Sequence, residues 1–526
     1  MNGRPTPTLV LILDGWGHAP AGPGNAVSLA NTPHLDELQA IYPSTLLQCS
    51  GRSVGLPQGF MGNSEVGHMN IGAGRVVYQD MTRIDLAVEN DEFRTNPALV
   101  KLMDKVAASG GRLHAMGLVS DGGVHSHVNH LHALVRMAKE RKVELYIDAY
   151  LDGRDTPPSS GLGYIRDLDS FLENEGWGRI AMVSGRYWAM DRDKRWDRTH
   201  KAYEALTLGR SAVTGFFDDP VQAVQLAYNA GETDEFVKPR VMNTPKGPAL
   251  ATIQDGDGVF FFNFRADRAK QMTQALTFDD FNEFPREKRP KLAGFATMTQ
   301  YDSSFNVDVA FPPEDVEQTL GQTVSEKGLK QLRIAETEKY AHVTYFLNCG
   351  EEEPFQGEER ALIPSPREVA TYDLKPEMSC PEVVDQLMEH WNSGEFDLIV
   401  CNLANLDMVG HTGIIPAAIQ ACEVVDKKVG LITQAVLDRG GRMLLTADHG
   451  NAEEMIDAEG NPQTAHSLNP VPLVLVEMGR EGNGGLRNGA LCDIAPTVFD
   501  LWGMDQPSAM GGASLLGNGA SAKEDT

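Results

Sequence analysis

The sequence lacks cysteines at paired spacings. This absence is informative about the cellular compartment of the protein and about the type of metal ligand that it can offer. Six cysteines are spread over 526 residues, and no two of them have a C-x-x-C spacing. Scattered cysteines in so long a chain are typical of reduced thiols rather than of a disulfide framework. We therefore expect a cytoplasmic protein.

Long apolar runs are also missing. A membrane-spanning helix needs about 20 consecutive apolar residues, and the longest runs in this sequence are far shorter. The N-terminal run Leu9–Leu13 meets Asp14 at once, which does not fit the pattern of a signal peptide. We expect no membrane span and no membrane partner.

Positive charge is the third scarcity. The sequence has 46 Lys and Arg against 73 Asp and Glu, a formal net charge of −27. Such an acidic chain is a poor partner for nucleic acid or for an anionic membrane. An anionic substrate would consequently need a local basic pocket.

The hydrophobic patterns that are present in the sequence indicate an α/β protein of several domains. Strand-like runs alternate with helix-length segments throughout, the pattern of a mostly parallel sheet covered by helices. Metal-type residues fall in the first 80 positions and again after 400, with a second α/β series between them. We predict a discontinuous outer domain at 1–78 and 313–516, an inserted domain at 79–312, and a disordered tail at 517–526.

Three apolar runs each end in an aspartate. Leu9–Leu13 precedes Asp14, Leu398–Leu406 precedes Asp407, and Met443–Ala447 precedes Asp448. Open α/β sheets gather functional residues at the carboxyl ends of their strands, so distant aspartates can converge there. The alternative is that each aspartate is only a helix cap or turn residue. That alternative is attractive for one aspartate and much less so for three.

Histidines accompany these aspartates. His411 lies four residues after Asp407, so both side chains share one face if this segment is helical. Asp448 and His449 are adjacent and need a loop to act together, and His466 is expected on a loop. Carboxylate and imidazole ligands suit Mn²⁺, Zn²⁺ or Mg²⁺. Six such ligands suit a two-metal site of the kind that clamps a phosphoryl group.

A candidate nucleophile lies in a glycine-rich segment. Ser64 follows Gly62 and Asn63, and a helix starting near Glu65 would direct its positive dipole end towards a phosphate. A divalent ion on the hydroxyl would favour the alkoxide without a histidine base. The alternative is a plain N-cap serine, which would be the simpler interpretation of this motif alone.

Several arginines follow strand-like runs of the predicted inserted domain. Guanidinium groups bind phosphate and carboxylate with two hydrogen bonds, and so these arginines answer the need for a basic pocket. A solvated helix surface is the alternative, and we prefer it for Arg195 and Arg198. The candidates at strand ends are Arg186, Arg192, Arg265 and Arg268.

Five motifs resemble the cofactor-independent (2,3-bisphosphoglycerate-independent) phosphoglycerate mutases. The motifs are Asp14-Gly15-Trp16-Gly17, Gly62-Asn63-Ser64-Glu65-Val66-Gly67-His68, Ser120-Asp121-Gly122-Gly123-Val124-His125-Ser126-His127, Asp152-Gly153-Arg154-Asp155 and Thr446-Ala447-Asp448-His449-Gly450-Asn451. The likeness runs from about Pro7 to Ser514. It implies two α/β domains, the outer one like alkaline phosphatase, and interconversion of 3-phosphoglycerate and 2-phosphoglycerate through a phosphoserine, in glycolysis and gluconeogenesis.

The resemblance also implies a role for each matching residue. Ser64 would be the nucleophile and Asp155 an acid–base group, although an aspartate after Gly-Arg is more often a turn residue. Lys339, which the sequence alone would class as exposed, would lie near the phosphoryl group. One metal would be held by Asp14, Ser64, Asp448 and His449, and the other by Asp407, His411 and His466. The substrate would be bound by His125, Arg154, Asp155, Arg186, Arg192, Arg265, Arg268 and Lys339.

The family leans towards Mn²⁺, with Zn²⁺, Mg²⁺ or Co²⁺ as alternatives, and uses no 2,3-bisphosphoglycerate. A monomer is the family expectation. Two other functions stay open at this point. A metal-dependent phosphohydrolase would share the metal set and differ in the inserted domain. A metal-binding protein without catalysis would retain the ligands and show no turnover.

Overall fold

The computed structural model describes residues 4–482 and 485–517, so the tail predicted at 517–526 lies, apart from Gly517, outside the described residues. The strands are β1 Thr8–Leu13, β2 Ser44–Gln48, β3 Leu113–Leu118, β4 Leu145–Leu151, β5 Arg179–Gly185, β6 Arg240–Val241, β7 Gly258–Phe261, β8 Gly294–Thr299, β9 Asp308–Phe311, β10 Gln331–Glu336, β11 Glu358–Ile363, β12 Leu398–Leu403, β13 Arg442–Thr446, β14 Val471–Glu477 and β15 Gly489–Ala490.

Helices alternate with these strands, as the sequence pattern predicts. They are α1 Ala26–Leu29, α2 Pro33–Ile41, α3 Ser64–Ala73, α4 Asp80–Glu89, α5 Pro97–Ser109, α6 Val128–Glu140, α7 Gly161–Glu175, α8 Arg186–Ala189, α9 Trp196–Leu208, α10 Pro220–Asn229, α11 Lys270–Thr277, α12 Leu320–Glu326, α13 Thr337–Ala341, α14 Cys380–Ser393, α15 Asn405–Gly410, α16 Ile415–Asp438 and α17 Ile494–Leu501. Within the described residues, every helix is too short or too polar to cross a membrane.

The chain divides into two compact units, one formed by residues 1–79 and 315–526 and the other by 80–314. The first contains an eight-stranded sheet in the order β11-β10-β12-β1-β13-β14-β2-β15. From β11 to β13 the strands are parallel, and β14 is antiparallel to both of its neighbours. The whole of β1 is buried, as expected for a central strand with helices on both faces.

The unit at 80–314 contains a seven-stranded sheet in the order β6-β5-β4-β3-β7-β8-β9. Its strands are parallel except for β6, which pairs antiparallel with β5. The predicted α/β class is therefore confirmed for both units. The strand-like runs of the middle of the sequence, at 113–120, 144–151, 179–184, 259–264 and 291–298, correspond to β3, β4, β5, β7 and β8.

Register explains why the aspartates of the first unit meet. In the parallel pairing of β1 with β12, Leu13 lies opposite Leu403, and in its pairing with β13, Ile12 lies opposite Thr446. The three strands therefore end at nearly the same level, and the segments after them emerge at one edge of the sheet. Asp14, Asp407 and Asp448 all follow this edge, which is the arrangement that the sequence predicts.

Candidate active site

Ser64 is the first residue of α3, and its side chain is free of any capping role. The cap is Asn63, whose side-chain oxygen accepts a hydrogen bond of 3.0 Å from the Val66 amide. The N-cap interpretation of Ser64 is therefore wrong, and the reason is that the preceding asparagine fills that position. The Ser64 Oγ is instead 2.9 Å from Nε2 of His449 and 3.2 Å from Oδ1 of Asp14.

Lys339 lies in the same cluster and is buried rather than exposed. Its Nζ donates to Ser64 Oγ at 2.7 Å, to Asp14 Oδ1 at 2.9 Å and to Asp407 Oδ2 at 2.6 Å. Burial alone would lower the pKa of Lys339, but the carboxylates of Asp14 and Asp407 outweigh it and raise that pKa. The ammonium is therefore charged and directed at the serine oxygen.

The second group of metal-type residues is also assembled. Asp407 lies in the short helix α15, and its Oδ1 is 3.1 Å from Nε2 of His411, four residues on. Nε2 of His466, on the loop before β14, is 3.0 Å from the same oxygen. The helical spacing predicted for Asp407 and His411 is thus confirmed. The pKa of Asp407 is lowered well below its ordinary value because Lys339 and the histidines outweigh the effect of burial.

Asp448 and His449 both face the cluster because β13 ends at Thr446 and the chain turns into a loop. His449 Nε2 lies 3.3 Å from Asp14 Oδ1 and 3.7 Å from Asp448 Oδ2. Burial would lower the pKa of His449, but Asp448, Asp14 and Asp407 outweigh it and raise that pKa to about 9. The imidazole is therefore held in a strongly negative environment.

The donor set fits divalent cations. Three groups of residues each bring their ligand atoms within 4.8 Å of one another, and they consist of carboxylates and imidazoles: Asp407 with His411 and His466, Asp14 with Asp407 and His449, and Asp14 with His68 and Asp448. Both side-chain oxygens of Asp448 are buried and lack a hydrogen bond of suitable geometry from the described residues, and Nδ1 of His68 lies 3.2 Å from Oδ2. A buried carboxylate without hydrogen bonds is costly unless a cation completes its surroundings. Oxygen and nitrogen donors suit hard or borderline divalent ions.

Two further residues, Asn402 and His68, belong to this hydrogen-bond network and were not predicted from the sequence. Asn402, within the apolar run of β12, donates from Nδ2 to Asp14 Oδ2 at 2.8 Å and is 3.1 Å from His68 Nε2. The other imidazole nitrogen of His68 is 2.8 Å from the Ser64 carbonyl oxygen. His68 belongs to a motif that the sequence analysis noted without giving it a role. A polar residue inside a fully buried central strand is the signal that could have identified Asn402.

In the unit at 80–314, the predicted substrate residues follow adjacent parallel strands. Arg186, directly after β5, is buried, and its Nη1 is 2.5 Å from Asp152 Oδ1 and 2.6 Å from Asp155 Oδ2. Its Nη2 lies 2.8 Å from His125 Nε2. Burial, followed by the charge of Arg186, lowers the pKa of His125 to about 4. A neutral His125 that accepts from Arg186 carries its proton on Nδ1, and this buried nitrogen has no hydrogen-bond partner among the described residues.

The remaining arginines surround the same strand ends. Arg192 and Arg265 both contact Asp267, at 2.9 and 3.2 Å, and their side chains are about half exposed. Burial lowers the pKa of Arg268, and the nearby charges of Arg186, Arg192 and Arg154 lower it further. Arg154 itself lies 3.7 Å from Glu235. Several guanidinium groups therefore share one region, where Arg186 pairs with Asp152 and Asp155 and both Arg192 and Arg265 pair with Asp267.

Comparison with known proteins gives a consistent result. A family model described as "BPG-independent PGAM N-terminus (iPGM_N)" matches residues 84–303. The chain is 61% identical over 510 residues to the 2,3-bisphosphoglycerate-independent phosphoglycerate mutase of Nitratidesulfovibrio vulgaris, covering 97% of this chain and 99% of that protein. The enzyme of the same name from Syntrophotalea carbinolica is 57% identical over 511 residues, covering 97% of this chain and 98% of its own length.

Among solved structures, the chain is similar to a Leishmania mexicana phosphoglycerate mutase determined at low cobalt concentration. The two are 31% identical with a TM-score of 0.57, and the match covers 97% of this chain and 98% of the other. Identity above half over nearly the full length, together with the assembled motifs, assigns the chain to one family. It belongs to the 2,3-bisphosphoglycerate-independent phosphoglycerate mutases.

Proposed function

We propose that the protein interconverts 3-phosphoglycerate and 2-phosphoglycerate through a phosphoserine on Ser64, as a step of glycolysis and gluconeogenesis. The observation that carries this proposal is the environment of the Ser64 hydroxyl, which is contacted by Lys339 and His449 at the N-terminus of α3. A serine oxygen with an ammonium at 2.7 Å is suited to attack a phosphate, because the cation favours the alkoxide and neutralises the phosphoryl oxygens.

The proposed reaction consists of two phosphoryl transfers, the first from the substrate to Ser64 and the second from Ser64 back to the glycerate. In the first, a bond forms between Ser64 Oγ and phosphorus while the bond from phosphorus to the substrate oxygen breaks, and the serine proton ends on that oxygen. In the second, the other glycerate hydroxyl attacks the phosphoserine and its proton returns to Ser64. Asp155, beside His125 and Arg186, is proposed to move protons to and from these hydroxyls.

Two divalent ions are proposed as cofactors, Mn²⁺ first, with Zn²⁺, Mg²⁺ and Co²⁺ as alternatives. Asp14, Ser64, Asp448 and His449 would hold one, and Asp407, His411 and His466 the other. When bound, such ions polarise phosphoryl oxygens and lower the pKa of a coordinated hydroxyl. Lys339, whose Nζ is 2.7 Å from Ser64 Oγ, would supply positive charge to the same oxygens.

Glycerate binding is assigned to the unit at 80–314. His125, Arg154, Asp155, Arg186, Arg192, Arg265 and Arg268 are the proposed contacts, and the grouping of the arginines in one region supports a substrate carrying both a carboxylate and a phosphate. We propose that this unit binds the substrate and that the unit formed by 1–79 and 315–526 carries out phosphoryl transfer. A monomer in the cytoplasm is the proposed setting.

The test is conversion of 3-phosphoglycerate by metal-stripped protein, with and without Mn²⁺ and without 2,3-bisphosphoglycerate. We expect 2-phosphoglycerate only when the metal is added. Release of free phosphate faster than isomerisation would identify a phosphohydrolase instead. An absence of turnover with any of the four ions would leave only a metal-binding role.

The phosphoserine is tested with Ser64→Ala. This variant should lose mutase activity by several orders of magnitude, because no other group can form the covalent intermediate. Intact-mass measurement of substrate-treated wild type should detect one added phosphoryl group that the variant lacks. Ser170→Ala, on the exposed face of α7, is the matched control and should behave like the wild type. Mutase activity retained in Ser64→Ala would refute the proposed intermediate.

A further inference from the structure

The buried carboxylate of Glu453 contacts the loops that carry Asp14, His449 and His466. It takes no part in the proposed chemistry. Glu453 is 2% exposed. Its Oε2 accepts hydrogen bonds from the backbone amides of Gly17 at 3.0 Å and Asn451 at 2.8 Å. Its Oε1 accepts from Ser467 Oγ and from Asn469 Nδ2, the latter at 3.1 Å. Four donors from three separate chain segments therefore meet at one side chain.

Each of these segments also carries a proposed metal ligand. Gly17 follows Asp14 on the loop after β1, and Asn451 follows His449 on the loop after β13. Ser467 follows His466 directly on the loop before β14. The four hydrogen bonds of Glu453 thus connect the three loops whose relative placement sets the positions of those ligands.

Two glycines make room for this carboxylate. A Cβ added to Gly17 would lie 2.1 Å from Glu453 Cδ, and one added to Gly450 would lie 2.3 Å from its Oε1. Real Cβ atoms do not approach so closely, so any side chain at either position would displace the carboxylate. This is an observation independent of the hydrogen bonds, and it gives the glycines of Asp14-Gly15-Trp16-Gly17 and Asp448-His449-Gly450 a reason in packing.

We infer that Glu453 is a positioning residue, which fixes the loops bearing Asp14, His449 and His466 in the geometry that binds the divalent ions. The inference rests on the proposed metal-dependent function. A carboxylate offers two acceptor oxygens to these four donors, whereas an amide replaces one of them with an NH₂ group. Residues that orient metal ligands from behind in this way govern the affinity of the site for its ion.

The experiment measures Mn²⁺ binding by calorimetric titration of metal-stripped, full-length wild type and Glu453→Gln, each first checked for native circular dichroism. We expect Glu453→Gln to bind Mn²⁺ about 10- to 100-fold more weakly than the wild type. At saturating Mn²⁺, its KM for 3-phosphoglycerate should stay near the wild-type value, because the proposed glycerate contacts belong to the unit at 80–314.

The matched control is Glu454→Gln. Glu454 is adjacent, and its side chain accepts a hydrogen bond of 2.8 Å from the same Asn469, whereas the hydrogen bonds from Gly17, Asn451 and Ser467 go to Glu453. It should bind Mn²⁺ as the wild type does. Equal Mn²⁺ affinity of wild type and folded Glu453→Gln would overturn the inference, as would an equal loss in both variants.

If Glu453→Gln does not fold, Ser467→Ala provides the second test. It removes one donor to Glu453 on the segment of His466 and preserves the carboxylate, and it should weaken Mn²⁺ binding measurably. Wild-type affinity in that variant would overturn the inference. Failure of the wild type itself to bind Mn²⁺, Zn²⁺, Mg²⁺ or Co²⁺ is a distinct result, because it would refute the metal-dependent function on which the inference rests.

Discussion

At the scale of single residues, burial decides the role of Lys339. The same residue exposed on a helix would be a solvated cation with a flexible stem, whereas here it is 3% exposed and contacts two aspartates and Ser64. Asp14, Asp407 and Asp448 place three carboxylates in one buried region, and an ammonium among them offsets part of their repulsion. Lys339 therefore contributes both to the stability of the site and to the charge at the serine.

A second buried ionisable residue, Glu336, leads to a prediction about how the stability of the protein depends on pH. It is 1% exposed at the end of β10, and burial raises its pKa from the ordinary value of 4.5 to about 7. Because the folded state holds this proton more tightly than the unfolded chain, stability contributed by the neutral form is lost as pH rises through 7. Linkage gives a loss of about 2 kcal/mol in unfolding free energy between pH 5.5 and 8.

Glu336→Gln should remove this dependence, since an amide does not titrate. The measurement is urea unfolding of the unit containing residue 336 at both pH values, for wild type and variant. Glu359→Gln serves as the control because Glu359 is an exposed carboxylate on the neighbouring strand β11. A pH dependence that is the same in wild type and Glu336→Gln would show that the carboxyl of Glu336 ionises normally.

At the scale of secondary structure, α3 places the nucleophile through close helix packing. Gly67 faces the loop after β13, where an added Cβ would lie 2.8 Å from the carbonyl oxygen of Asp448. Gly72, further along the helix, faces the carbonyl oxygen of Leu347, with 1.8 Å to an added Cβ. The helix therefore contacts neighbouring backbone at two points, and larger side chains there would move Ser64 away from His449 and Lys339.

Gly67→Ala should consequently lower kcat, on the order of 10²-fold for a displacement near 1 Å, with little change in KM. Gly163→Ala in α7 is the control because, apart from its chain neighbours and the backbone of its own helix, no described atom lies within 4 Å of its added Cβ. That substitution should instead stabilise the protein by about 0.4–1 kcal/mol, through lower entropy of the unfolded chain. Steady-state kinetics and thermal unfolding of both variants check the prediction, and a fully active Gly67→Ala would contradict it.

At the scale of the whole molecule, a net charge of −27 opposes an anionic substrate. The proposed contacts with the arginines have to overcome this repulsion. Since contacts between exposed arginines and a small anion are partly electrostatic, screening by salt should weaken them. We expect the KM for 3-phosphoglycerate to rise severalfold between about 50 mM and about 500 mM KCl, with kcat nearly constant.

Arg265→Gln should make this salt dependence shallower, because one of the proposed contacts is lost. The control is Arg136→Gln, which alters an exposed arginine paired with Glu175 at 3.1 Å on the surface of the same unit. It should leave the KM and its salt dependence unchanged. A KM that is constant across the salt range in the wild type would count against substrate binding by the arginines.

The α/β class and the convergence of the strand-end aspartates with histidines could be predicted from sequence. Each rests on a local pattern: apolar runs of strand length, an aspartate after each run, and a histidine at helical spacing from Asp407. Such patterns can be recognised in the sequence because strand and helix periodicities are properties of residues close together in the chain. The family motifs added the roles of Ser64, His125 and the arginines as expectations.

By itself, then, the sequence determined the α/β architecture, the carboxylate and imidazole chemistry, and the family. Only the tertiary structure decided which side chains are buried against one another: Lys339 beside Ser64, Asn402 beside Asp14, and Glu453 behind three loops. The physical reason is that burial and hydrogen bonding at these positions come from segments hundreds of residues apart. Asn402 and Asp14 are separated by 388 positions, a distance over which no local pattern reports contact.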